Sequence, residues 1–474
     1  MSTPLVVDLD GTLTPSDMLV ESFFNLLAST PTTALSAPVW LVRGGKAGLK
    51  QQLAKRSELD VSHLPFNQSL LDWLKEEKAT GRTLVLATAS DRKLAEQINQ
   101  RLDCLFDDIL ASDGTLNLAG ERKADALVTR YGEGKFDYAG NAAPDLKVWK
   151  HAHRAIVVNP ARGLKTKAEA ICTVERTFDE RPHPLKTWAQ ALRLHQWVKN
   201  ILLFIPLLTA QQLDSSTAII QTIIAFLAFS FCASSVYLLN DLLDLPHDRQ
   251  HHRKRNRPIP SGALPPIQAV LTIPALLLLS GLLLLALPSM FALALASYYA
   301  LTLAYSLVLK RILMIDVLSL AGLYTMRIIA GSYAIALVPS FWLLAFSMFI
   351  FLSLALVKRY SELMTLRQQN TNKSTSGRDY HVGDIELLAS LGGSAGYTAV
   401  LVMALYINSD TVAQAYSHPM RLWLLCPALL FWISRVWILA HRGRMHDDPI
   451  VFALRDRTSL LLAALMAITL MMAT

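Results

Sequence analysis

Charge is scarce in this chain. Of 474 residues only 17% are Asp, Glu, Lys or Arg, while 52% are hydrophobic; an average soluble domain carries about 25% charged residues. That shortage excludes a single ordinary soluble globule. Cysteine is scarcer still: Cys104, Cys172, Cys232 and Cys426 lie far apart with no Cys-x-x-Cys pair, so neither a zinc site nor a disulfide framework is indicated. The start, MSTPLVVDLDG, lacks a basic run followed by an apolar one; no signal peptide is expected, and the first domain is expected in the cytosol. A continuous basic stripe is lacking too. The formal net charge is +8, but many Lys and Arg fall in short loops between apolar segments, the positive-inside pattern of a membrane protein. Nucleic acid is therefore not an expected partner, and nothing in the residue pattern specifies an oligomer.

What is present is unevenly spread. Up to about position 195 charges recur every few residues; beyond it come runs such as 267–309, IQAVLTIPALLLLSGLLLLALPSMFALALASYYALTLAYSLVL. These reach the roughly 18 to 20 apolar residues that a bilayer-crossing helix needs. The composition describes an α/β soluble domain followed by an all-α integral membrane domain.

In the first part, short β-rich runs alternate with helical patterns, which predicts a parallel sheet with crossover helices. Expected strands are Leu5–Leu9, Thr83–Ala87, Phe136–Ala139 and Ala155–Val158. In such sheets the site lies at the carboxyl ends of the strands. Residues 15–75 show helical patterns and can form a cap over that edge. The Pro-containing stretch RTFDERPHPLK (176–186) reads as a linker region, giving domains at 1–178 and 191–474 with 179–190 between them. Nine apolar segments follow, near 198–210, 217–239, 267–287, 289–309, 312–335, 338–357, 387–408, 421–440 and 458–473. With the N-terminus in the cytosol, the loops 240–266, 310–311, 358–386 and 441–457 are cytosolic and carry nearly all the Lys and Arg of the membrane half, and Thr474 falls on the far side.

The run VVDLDGT ends with Asp8, Asp10, Gly11 and Thr12. Two carboxylates one residue apart at a strand end can share a site in which one attacks phosphorus and the other handles a proton. Thr88 closes the next apolar run and can hydrogen-bond a phosphoryl oxygen. Lys123, in GERKADAL, can neutralise the attacking carboxylate and the phosphate, and FDYAGNAAPDL supplies Asn141 and Asp145 as oxygen donors for magnesium. Singly, each piece also fits a solvated turn or a surface lysine. In this order, over about residues 3–160, they resemble the haloacid dehalogenase superfamily of phosphatases. The resemblance implies a Rossmann-like fold with a cap, Asp8 as nucleophile and metal ligand, Asp10 as general acid/base and metal ligand, and Mg2+ as cofactor. The family motif usually has Asp where Asn141 stands, and an amide lowers the negative charge of a metal site.

In the second part, SSVYLLNDLLDLPHDRQHHRKRNRPIPSG ends the second apolar segment. If the helix persists to Asp248, then Asn240, Asp241, Asp244 and Asp248 share one face, with Pro246 a possible distortion of the last turn. Carboxylates so spaced repel one another unless cations bridge them, and magnesium with a diphosphate is such a bridge. The pattern is similar to that of the UbiA superfamily of intramembrane transferases, over about residues 190–474. Ordinary members transfer a prenyl group to an aromatic ring and carry a second Asp-x-x-x-Asp motif. Here the corresponding segment, YSLVLKRILMIDVLSLAGLYTMR, holds Tyr305, Lys310, a single Asp316 and Arg327, with Leu320 where a partner acid would stand.

That departure, together with HQWVKN (195–200, containing Lys199 and Asn200), DRQHHRKRNRPI (248–259), VKRYSEL (357–363) and RDY (378–380), resembles the subgroup of decaprenyl-phosphate phosphoribosyltransferase; His252 replaces a Pro of that pattern. The resemblance implies phosphoribosyl pyrophosphate as donor and a polyprenyl phosphate as acceptor. A multiply charged donor needs cations, and Arg249, Lys254, Arg255, Arg257, Lys358, Arg359 and Arg378 are the candidates; topology control alone is the simpler reading of any one of them. The expectation is a bifunctional enzyme of the inner or plasma membrane in which the fused phosphatase removes the ribose 5-phosphate, for cell-envelope glycan synthesis. Two alternatives stay open: prenyl transfer from a prenyl diphosphate, and a soluble domain serving as a regulatory or binding module.

Overall fold

The computed structural model describes residues 3–57, 59–113, 117–368, 379–445 and 448–473. Arg378 and Thr474 lie outside them. The chain divides into two compact units, one of residues 1–192 and 237–274, the other of 193–236 and 275–474.

The first unit is built on a parallel sheet of six strands, β1 (Leu5–Val7), β2 (Leu84–Asp91), β3 (Asp108–Ser112), β4 (Asp137–Gly140), β5 (Arg154–Val158) and β6 (Thr173–Phe178), in the order β3-β2-β1-β4-β5-β6. Alternation along the strands feeds two cores. Leu5, Val7, Leu84, Leu86 and Ile156 pack on one face; Val6, Val85, Tyr138 and Val157 pack on the other. Burial on both faces is what makes parallel strands read as short continuous apolar runs. The helices Met18–Ser29, Ala37–Arg56 and Gln68–Ala79 are inserted between β1 and β2, which agrees with the expected cap segment. All four expected strands are present and two more, β3 and β6, flank them. The expected linker is shorter than its sequence suggests: β6 runs to Phe178 and a helix, Pro184–Ala191, begins within it.

Residues 237–274, the acidic end of the second apolar segment and the loop after it, belong to this unit rather than to the membrane unit. Arg249 shows why. Its guanidinium forks onto Glu21, with Nη1–Oε2 2.7 Å and Nη2–Oε1 2.6 Å, and also donates to Ser16 Oγ and to the carbonyl of Pro260. Both partners of the ion pair are buried. Removing one member leaves an uncompensated buried charge, which costs about 3–5 kcal/mol, whereas replacing both by apolar side chains is often neutral. Arg249→Ala is therefore expected to lower the thermal midpoint of the purified chain by several degrees, and the double change Glu21→Met/Arg249→Met to recover most of the loss. A single variant as stable as wild type would show that the pair holds nothing.

The second unit is helical. Among the described residues seven helices are long and apolar enough to cross a membrane: Ser216–Leu243, Pro266–Leu284, Ser289–Leu307, Ile315–Ala334, Phe341–Gln368, Val382–Ile407 and Pro419–His441. The nine segments expected from the sequence are reduced at both ends. The first becomes a 3-10 stretch, Leu194–Phe204, and a short helix, Ile205–Thr209; the last, Arg457–Ala473, has 17 residues, just under the roughly 18 that mark a membrane-crossing helix. Val317, Ile350, Leu354, Val357 and Ile385 form the centre of this unit's core.

Candidate active sites

Parallel pairing of β1 with both β2 and β4 brings three strand ends together, at the point where the strand order reverses. Asp8 follows β1, with its N–H donated to the Ala139 carbonyl of β4 at 3.0 Å. Lys123, on the helix Glu121–Tyr131, reaches Asp8 Oδ1 at 2.6 Å and lies 3.1 Å from the Tyr138 hydroxyl. Burial pushes the Asp8 carboxyl up to about 7, with Asp145 and Asp10 adding to the shift and Lys123 opposing it. Asp10 accepts the Met18 N–H at 2.8 Å on one oxygen and the Ser90 hydroxyl at 2.7 Å on the other. Burial, then the charge of Asp17, raises its pKa, the direction a group that must both give and take a proton requires. Thr88 is fully buried and accepts the Ser90 N–H at 3.0 Å, so its own O–H remains for a phosphoryl oxygen.

Asn141 and Asp145 are positioned differently from each other. The Asn141 amide lies over Gly11: a Cβ there would fall 2.1 Å from Nδ2, and Gly11 has φ +78, so only glycine fits. Asn141 Oδ1 accepts from the Thr12 hydroxyl at 3.2 Å. Asp145 spends Oδ2 on the N–H groups of Asn141 and Ala142 and Oδ1 on the Tyr138 hydroxyl, each at 2.9 Å. It holds the turn and, through Tyr138, the lysine. Tyr138 and Ser90 were not foreseen, since a tyrosine and a serine inside strands carry no chemical signal of their own.

At the end of the helix Ser216–Leu243, Asp241 and Asp248 meet on one cation: Arg257 Nη1 lies 3.1 Å from Asp241 Oδ1 and 2.6 Å from Asp248 Oδ2. A second helix, Leu245–Gln250, carries Asp248, and Asp244 sits half-buried at the junction, as Asn240 does one turn earlier. Asp248 is fully buried; among the described residues its Oδ1 makes no hydrogen bond, and the Lys254 ammonium stands 3.2 Å from it. Arg255 is exposed. Arg249, expected as a substrate ligand, donates four N–H bonds to Glu21, Ser16 and Pro260.

Whether these residues fit magnesium follows from their donors. Among the described residues no three Asp, Glu, His or Cys side chains gather closely enough to form a metal cage. Magnesium does not demand one: it binds through one or two carboxylates, waters and substrate phosphates. Asp8 with Asn141, and Asp241 with the under-satisfied Asp248, are hard oxygen sets of that size. They fit an ion that arrives with a phosphate.

In the membrane unit the expected residues fall into two buried networks. Asp316 accepts the Arg359 Nε–H on Oδ2 at 2.7 Å and the Tyr380 hydroxyl on Oδ1 at 2.5 Å; Arg359 is fully buried and also donates to Glu362 and the Tyr305 hydroxyl. Arg327 donates to Asn200, the Leu323 carbonyl and the Tyr298 hydroxyl, beside the rings of Phe229, Tyr298 and Tyr324. Asp316, Arg359, Arg327 and Asn200 are thus buried and hydrogen-bonded to one another or to their neighbours, since a buried guanidinium must be satisfied from within. Lys310 lies on a 3-10 turn, Leu309–Arg311. Lys199 and Lys358 instead converge on one acid the sequence reading missed, Asp448, at 2.8 and 3.5 Å, and the Tyr324 hydroxyl joins them. Burial alone would raise the Asp448 carboxyl; Lys358 and Lys199 hold it well below the usual range. Its only sequence mark is an Asp-Pro helix start.

The sequence model of the UbiA prenyltransferase family matches residues 201–455, more than half of the chain. The chain belongs to that family. Its similarity to the uncharacterized protein y4nM of Sinorhizobium fredii is 38% identity over 99% of this chain and 91% of that one. The nodulation protein NoeC of Azorhizobium caulinodans is 35% identical over 58% of this chain and 90% of its own. A decaprenyl-phosphate phosphoribosyltransferase of Mycobacterium tuberculosis is 30% identical over 58% of this chain and 89% of its own. Among solved structures, a UbiA homologue from Archaeoglobus fulgidus bound to GPP and Mg2+ covers 60% of this chain and 99% of its own at 16% identity and TM-score 0.45. Phosphoserine phosphatase in its apo form covers 38% and 95% at 15% identity and TM-score 0.28. The UbiA assignment makes the chain an integral membrane transferase with an α/β domain fused ahead of it.

Proposed function

We propose that the membrane domain transfers 5-phosphoribose from phosphoribosyl pyrophosphate to a polyprenyl phosphate, and that the fused domain then removes the 5-phosphate. The observation that carries this reading is Asp316. A prenyl diphosphate donor calls for a second acidic metal site of the Asp-x-x-x-Asp kind, and in this chain Leu320 stands where the partner acid would, while Asp316 has both oxygens bonded to Arg359 and Tyr380. The names of the phosphoribosyltransferase relatives support the same choice. Positive-inside loops support an inner or plasma membrane location with the phosphatase domain in the cytosol.

In the transfer, an oxygen of the lipid phosphate attacks the anomeric carbon and the bond from that carbon to pyrophosphate breaks. Asp241 and Asp248 would hold Mg2+, which neutralises charge building on the leaving pyrophosphate. Lys254, Arg255 and Arg257 add fixed positive charge to the same group. Lys199 and Lys358 suit the single phosphate of the acceptor. Beside them an apolar cleft of about 290 Å³, lined by Val198, Ile201, Ile450 and Met466 among others, suits its chain. In the hydrolysis, Asp8 attacks phosphorus while Asp10 gives its proton to the departing ribose oxygen. Asp10 then takes a proton from the water that frees phosphate from Asp8, and Lys123 and Thr88 hold the phosphoryl oxygens. Asn141 in place of an acid favours a second reading of this domain, a binding module without turnover.

The donor decides the first half. Purified protein given polyprenyl phosphate with labelled phosphoribosyl pyrophosphate is expected to place label in lipid, and protein given a prenyl diphosphate with an aromatic acceptor is expected to yield no product. Robust prenylation without ribosyl transfer would reverse the assignment.

A further inference from the structure

The phosphatase site opens into a cleft of about 1280 Å³ that the phosphatase domain builds only in part. Asp10, Gly11 and Asn141 are at the catalytic end, and Asn67 and Asn159 flank it, joined by an amide–amide hydrogen bond at 3.2 Å. Most of the remaining lining comes from two stretches, one within 179–188 that includes Asp179, Glu180, Arg181 and His183, the other residues 261–268, from the loop that follows the acidic motif of the transferase. Gly262 seats this loop: it has φ +79, and a Cβ there would stand 2.3 Å from Pro15 Cγ. The wall changes character along its length. Leu264, Pro265, Pro266 and Ile267 are apolar, Ile267 is exposed, and Pro266 starts the membrane-length helix Pro266–Leu284.

We propose that this cleft admits a phosphate monoester tethered to a lipid, with 261–268 as the wall along which the tether leaves toward the membrane. The inference rests on the phosphatase reading above and adds which residues of the chain receive the lipid-linked substrate and its tether. Three features support it. The cleft exceeds the roughly 300–1000 Å³ of ordinary small-molecule pockets, so it is larger than a phosphopentose needs. Its polar catalytic end, with two carboxamides beside it, matches a hydroxylated sugar phosphate. Its apolar wall continues into a helix with the composition of a membrane span, which a freely diffusing phosphate ester would not require.

The test uses the full chain in lipid nanodiscs and two probes, farnesyl-phosphoryl-ribose 5-phosphate and free ribose 5-phosphate, with release of inorganic phosphate as readout. Wild type is expected to prefer the lipid-linked probe in kcat/KM. Gln268→Trp, which places bulk at an exposed cleft position, is expected to lower that preference about ten-fold or more. Gly262→Ala, which pushes the loop off Pro15, is expected to act in the same direction; if it fails to fold, Gln268→Trp alone decides. A wild type that hydrolyses both probes with no preference, or a preference that Gln268→Trp leaves unmoved, overturns the cleft assignment and leaves the phosphatase reading standing. A wild type that hydrolyses neither probe while still transferring ribose overturns both.

Discussion

Asp8→Asn is expected to leave lipid-linked phosphoribose accumulating with its 5-phosphate intact, with dephosphorylation lowered by roughly three orders of magnitude or more. The amide keeps the size of the carboxylate and can still accept from Lys123, whose ammonium is now 2.6 Å from Asp8 Oδ1. What it loses is nucleophilicity. Lys123 is buried, and its interaction with a neutral partner is weaker, so a loss of about 1–3 kcal/mol in stability accompanies the change. Ribosyl transfer should continue, because none of the transferase candidates touches Asp8 among the described contacts. Mass analysis of the lipid product from both proteins measures this. Equal retention of the 5-phosphate in wild type and variant would show that the domain does not act on this product, and the binding-module reading would gain.

The second large effect is expected at Asp248. Asp248→Asn should reduce transfer about a hundred-fold or more while leaving the protein in the membrane. Its buried carboxylate is shared with Asp241 through Arg257, and one oxygen has no hydrogen bond. A buried acid left partly unsatisfied costs stability in the empty protein, an arrangement that suits a cation arriving with substrate. Asp241→Asn should behave alike. Incorporation of labelled ribose into lipid is the assay, and near-normal incorporation in either variant would remove the acidic pair from the chemistry.

How much of this was legible beforehand depended on where each residue sits. The four strands read correctly from the sequence, β1, β2, β4 and β5, are the interior ones. The two that escaped, β3 and β6, are the edges. An edge strand has one neighbour and less to bury: β6, TVERTF, has only Val174 and Phe178 as apolar residues, with Glu175 and Arg176 between them, and is half-buried or exposed throughout, so no apolar run announces it. Asp8 and Lys123 were legible as a pair because strand-end geometry brings them together. The arginines were not. Arg249, Arg327 and Arg359 read as candidate phosphate ligands, and the internal partners they also have, Glu21, Asn200 and Asp316, stand 228, 127 and 43 residues away, beyond the reach of local pattern. Asp448 failed in the opposite way, an isolated acid in a basic loop whose two lysines come from elsewhere in the chain.

The seam in the sequence at 179–190 is not where the molecule would come apart. Glu21 and Ser16 lie before it and Arg249 after it, in one buried fork. Expressed as separate polypeptides, the leading fragment would present a bare carboxylate and the trailing fragment a bare guanidinium, each on a surface shaped for the other. Domain dissection at that point would give two sticky halves rather than two enzymes, and a functional division would first need new side chains at both ends of the fork.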